Sequence, residues 1–84
     1  MSIKRQRFEK VAEKRVNNVI HYLELLSNCS NTYNYEYSKE DIDKIFRAIS
    51  KKVNYSKSVF ADNLNKAKFK LWVTFIIFLN QDFQ

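Results

Sequence analysis

Glycine and proline are both missing from this chain of 84 residues. Without glycine, a left-handed backbone position is costly and a glycine-rich phosphate-binding loop cannot be built. Without proline, nothing forces a helix to stop. Cysteine is reduced to Cys29 and histidine to His21, so no internal disulfide can form and no cluster has metal-ligand spacing. The expectation is a reducing, cytoplasmic setting with neither metal nor cofactor. Long apolar runs are lacking too. The richest, Phe69 to Leu79, spans eleven residues, whereas a bilayer-crossing helix needs about 20. A membrane is therefore not an expected partner. No apolar stretch with a cleavage site marks a signal peptide near the N-terminus.

What is present is aromatic and basic. Thirteen Phe, Tyr and Trp side chains allow a small core to bury more area per position than usual. Fifteen Lys and Arg against nine Asp and Glu give a net charge of +6. The charge is uneven. Residues 1–15 carry six basic and two acidic side chains, a net +4, while residues 16–38 hold only Glu24 and Glu36, a net −2. Residues 39–70 return to +5, from nine basic and four acidic side chains. Such asymmetry speaks to partners rather than to fold: polyanions, anionic surfaces or acidic protein faces.

Periodicity predicts an all-α chain. Phe8, Ala12, Val16, Val19, Leu23 and Leu26 lie three or four apart, which is one face of a helix over about 4–27. Lys4, Arg7, Lys10, Lys14 and Arg15 occupy a second face, which Asn18 and His21 prolong, and Glu9, Glu13 and Glu24 occupy a third. The segment SNCSNTYNYEY, Ser27 to Tyr37, then interrupts the pattern, because Asn and Ser bond to nearby backbone and favour turns. Asn28 is expected to end the first helix in a left-handed conformation. Ser38 reads as the next N-cap, with Glu40 and Asp41 in the first turn and a tyrosine ahead of it to staple against Ile42.

A second helix, 39–53, carries Ile42, Ile45, Phe46, Ile49 and Val53 on one face, with Glu40/Lys44 and Asp43/Arg47 as i,i+4 pairs. Asn54–Ser58 has low helix propensity and reads as a short connection, although the apolar register also threads through it. A third helix, 58–80, ends in the apolar run. The expected fold is a single domain, 1–84: a small three-helix bundle with a polar loop at 28–38 and the apolar run at its centre, or in a homodimer interface. Antiparallel packing of the first two helices would gather Lys4, Arg5, Arg7 and Lys10 with Lys51, Lys52 and Lys57 at one pole, away from an acidic loop pole.

These features name candidate sites. Lys4, Arg5, Arg7, Lys10, Lys14, Lys51 and Lys52 suit phosphates or an acidic partner, while Asn18 and His21 suit base edges or sugars. Tyr33, Tyr35 and Tyr37 suit either a protein partner or a role as caps over the helix ends. Catalysis is not expected: Glu9 and Glu13 share a face, but no third ligand or nucleophile accompanies them in sequence.

The stretches RFEKVAEKRVN (Arg7–Asn17), LSNCSNTYNYEY (Leu26–Tyr37) and DIDKIF (Asp41–Phe46) resemble small accessory proteins encoded on plasmids, phages and integrated elements of low-GC Gram-positive bacteria. The resemblance covers about half of the chain, and the WVTFIIF tail departs from the more polar endings of that group. It implies a mobile-element protein in a bacterial cytoplasm, acting on DNA replication, transfer or regulation, or disarming a host defence. Two functions are expected on this basis. One is a basic binding protein that contacts nucleic acid or a nucleic-acid-handling complex. The other is a protein-binding inhibitor of a defence nuclease, of the anti-CRISPR type, with a structural homodimer as a third form.

Overall fold

A computed structural model describes residues 2–81, with side chains described for residues 2–67. The chain divides into two compact units, Met1–Lys39 and Glu40–Gln84. The first holds helix α1 (Ile3–Ser27) and a short 3₁₀ turn (Asn28–Ser30); helix α2 (Lys39–Gln81) makes up the second. No strand occurs among the described residues.

Helix α1 starts one residue before its expected position, because Ser2 is an N-cap. Ser2 sits in an extended conformation and its Oγ accepts from Arg5 N at 3.0 Å. The cap satisfies one of the donors that a helix start leaves open, and Gln6 N–H donates to Ser2 O at 3.2 Å. At the other end Ser27 Oγ donates back to Leu23 O at 3.0 Å. Asn28 does not adopt the expected left-handed conformation: its φ of −65° and ψ of −21° are right-handed. Its N–H reaches the carbonyls of Glu24, Leu25 and Leu26, so the helix tightens into the 3₁₀ turn instead of reversing. The described residues contain no positive φ.

The chain leaves helical geometry at Asn31, with ψ of 103°. Asn31 then organises the polar connection. Its side-chain Oδ1 accepts from Tyr33 N at 3.0 Å, and its carbonyl accepts from Asn34 N at 3.2 Å and Tyr35 N at 2.9 Å. Tyr37 Oη donates to Ser30 O at 2.9 Å. The tyrosine hydroxyl is thereby tied back to the 3₁₀ turn. The polar segment is a locally bonded connection, as its asparagines and serines predict.

The three-helix bundle is wrong at Asn54–Ser58. Helix α2 runs unbroken for 43 residues, about 64 Å, so the separate helices 39–53 and 58–80 do not exist. The energetics explain the continuity. Asn54, Tyr55, Ser56 and Ser58, of middling to low propensity, cost roughly 2–3 kcal/mol relative to alanine, and Lys57 is a good helix former. A break would cost more, since a second nucleation alone is worth about 4 kcal/mol and two new ends must find partners. Neither proline nor glycine is there to favour the break. The polar side chains fold onto the helix: Ser58 Oγ donates to Tyr55 O at 2.6 Å and Asn63 Nδ2 to Val59 O at 3.0 Å. Lys52 Nζ lies 4.8 Å from the centre of the Tyr55 ring, bridging one turn.

An enclosed core is also missing among the described residues, none of which is buried. On α1, Phe8, Val16 and Val19 keep about half of their surface exposed, and on α2 Phe60 remains 66% exposed. Each helix therefore carries its apolar row as an open stripe. The apolar run Phe69–Leu79 continues α2, and its expected place at a bundle centre or dimer interface concerns side chains outside the described set. No helix among the described residues is long and apolar enough to cross a membrane.

Candidate nucleic-acid interface

The helical period sorts the basic residues of α1 into two groups with different surroundings. Lys4, Arg7, Lys10 and Lys14 follow one another at intervals of three and four, and Asn18 and His21 extend the same row. All six are exposed. Among the described residues, none of the four cations makes an ion pair, and no carboxylate stands in the row. The Cβ atoms of consecutive members, three or four apart on a helix, lie about 5–6 Å from one another. That is close to the spacing of successive phosphates, so one α1 face offers a ladder of cations with an amide and an imidazole at its end. His21 sets its ring against Tyr22, with centroids 5.9 Å apart.

Arg5 belongs elsewhere. It precedes Phe8, Ala12 and Val16 on the apolar row, and its guanidinium lies 5.6 Å from the centre of the Phe8 ring. Its Nε donates to Glu9 Oε1 at 3.0 Å in an exposed i,i+4 pair. Such a pair stabilises by about 0.3–0.5 kcal/mol. The pairing also occupies the Glu9 carboxylate, one half of the Glu9/Glu13 couple.

On α2, Lys51 continues a row with Lys44 and Arg47, opposite the apolar stripe, while Lys52 lies on the flank beside Tyr55. Lys44 and Arg47 are absent from the residues that charge clustering singles out. Their expected partners, Glu40 and Asp43, are spaced for i,i+4 salt bridges that would occupy them, but neither pair closes in this structure. The row Lys44, Arg47, Lys51 reads directly from the spacing, since all three lie within the expected helix 39–53.

The three tyrosines separate clearly. Tyr33 is 95% exposed and Tyr35 about half exposed, whereas Tyr37 has its hydroxyl engaged on Ser30 O. Cys29 is a free, exposed thiol in the 3₁₀ turn. No group of three or more His, Cys, Asp or Glu that could hold a metal ion occurs among the described residues. Neither a family model, nor a curated protein, nor a solved structure matches this chain.

Proposed function

We propose that this chain is a small, basic, helical binding protein of a mobile genetic element that contacts the phosphates of nucleic acid, or of a nucleic-acid-handling complex, in a bacterial cytoplasm. The observation that carries the reading is the α1 row of Lys4, Arg7, Lys10 and Lys14, exposed and without ion pairs among the described residues. Polyanion binding by such a row draws its free energy from released counterions. Asn18 and His21 at the end of the row supply hydrogen-bonding groups for base edges or sugars, and Lys51 and Lys52 form a second basic patch on α2.

The test is a salt series against duplex DNA, single-stranded DNA and RNA. The reading expects affinity to fall steeply with ionic strength for at least one of them. An affinity indifferent to salt, or no binding to any of the three, sinks it. A second reading, inhibition of a host defence nuclease through protein contact, is favoured by Tyr33, which projects from the connection with nearly all of its surface open. In that case Tyr33→Ala and Tyr35→Ala weaken capture of the target protein, while the melting temperature stays unchanged.

A further inference from the structure

The continuous α2 carries a pattern that two separate helices would not. Phe46, Val53 and Phe60 recur at seven-residue intervals, and Ile42, Ile49 and Ser56 recur at the same interval, offset by four. This is the a/d spacing of a coiled-coil seam, with Phe46, Val53 and Phe60 at a and Ile42, Ile49 and Ser56 at d. The seam is open: Phe46 and Val53 are each 50% exposed and Phe60 66%. Asp43 and Lys57 flank it at e positions, and Lys52 flanks it at a g position.

We propose that the stripe from Ile42 to Phe60 is a self-complementary interface that pairs with the same stripe of a second copy of this chain, antiparallel, with the two-fold axis level with residue 51. In this register Phe60 meets Ile42 of the second copy, Ile49 meets Val53, and Phe46 fills the space left by the small Ser56. At that last layer a large residue faces a small one, so the seam does not overfill. Ile45 and Val59, both about 40% exposed, cover one flank against each other. On the other flank Asp43 lies opposite the second copy's Lys57, and symmetry makes this pair twice. Neither residue has an ion pair within its own chain among the described residues.

Charge selects the orientation. A parallel, in-register dimer would set Lys52 against the second copy's Lys57 twice, with no opposite charge in return. The antiparallel dimer has one like-charged meeting, Lys52 with Lys52 at the axis. That ammonium already leans over Tyr55, on the side away from the stripe. Arg47 and Lys51 stay on the outer face of each helix in this dimer, so the α2 basic row remains open to solvent. The interface does not depend on nucleic-acid binding and is measured without nucleic acid.

The test is sedimentation equilibrium of the full chain under reducing conditions, with Asp43→Lys, Lys57→Asp and the double variant, and circular dichroism to follow helix content. A dimer is expected. Each single swap should raise its Kd about tenfold, because it turns two attractive exposed pairs into repulsive ones. The double variant should return to within about twofold of the parent. Three results overturn the proposal: a chain monomeric at every accessible concentration, a dimer indifferent to the swaps, or tightening by Lys57→Asp alone, which marks a parallel pair.

Discussion

Replacing Lys10 by glutamine tests the α1 row without disturbing the helix, since the two residues have nearly the same helix propensity. Lys10 stands mid-row, three residues after Arg7 and four before Lys14. If Lys4, Arg7, Lys10 and Lys14 each meet one phosphate of a duplex, log K should fall with log salt at a slope of about −3.6. Affinity would then drop about 150-fold between about 50 and 200 mM salt. Lys10→Gln should flatten the slope to about −2.7, with a loss of about fifteenfold at about 50 mM but only about fivefold at about 150 mM. Arg5→Gln supplies the internal contrast, because that guanidinium stands on the apolar row and is held by Glu9. Its slope should stay that of the parent. Fluorescence anisotropy with a labelled duplex reads all three curves. Equal slopes for the parent and Lys10→Gln would refute the reasoning, as would a larger change for Arg5→Gln than for Lys10→Gln.

Ser56→Pro should cost about 3 kcal/mol and reduce helix content in circular dichroism, with a new protease-sensitive site near residue 56, because α2 is continuous there. A silent substitution would restore the idea of a loop at 54–58. Tyr37→Phe removes the bond to Ser30 O and should destabilise the connection by about 0.5–1 kcal/mol, seen as faster amide exchange at Asn34 and Tyr35. Ser2→Ala should fray the first turn of α1 by about 1 kcal/mol, measurable as lost protection of the Arg5 amide. Cys29 should be labelled by a thiol reagent in the native protein without prior unfolding, since it is exposed in the folded unit.

Much of the local structure is written in the residue pattern, and the departures have physical causes. Helix α1 follows from its three- and four-residue apolar spacing, and the polar connection follows from its asparagines and serines. The start at Ser2 is hard to read from sequence because the cap precedes the apolar row that marks the helix. Asn28 has the composition of a left-handed terminator, but a 3₁₀ turn satisfies the same carbonyls without the conformational cost of a positive φ on a residue with a Cβ. The expected break at Asn54–Ser58 rests on local propensity, a sum of small terms. The register Ile49, Val53, Phe60, Leu64 outweighs it, because continuing a helix is cheaper than restarting one. For the candidate interface, charge clustering finds Lys4, Arg7, Lys10 and Lys14 directly. Clustering also takes in Arg5, although adjacency in sequence is not adjacency on a helix: one step along the chain from Lys4 turns Arg5 onto the apolar row.

The hydrogen bond from Tyr37 to Ser30 reaches back only seven residues, and the bonds around Asn31 are shorter still. Contacts this local need almost no loop closure, so they form in about a microsecond once the segment is free to move. A ribosome adds a residue only every 0.05–0.2 s or so. The first unit therefore reaches its final bonding as soon as Tyr37 clears the exit, and its cationic face is ready for capture while α2 is still being made. On the proposed function, that is a difference in time rather than in affinity.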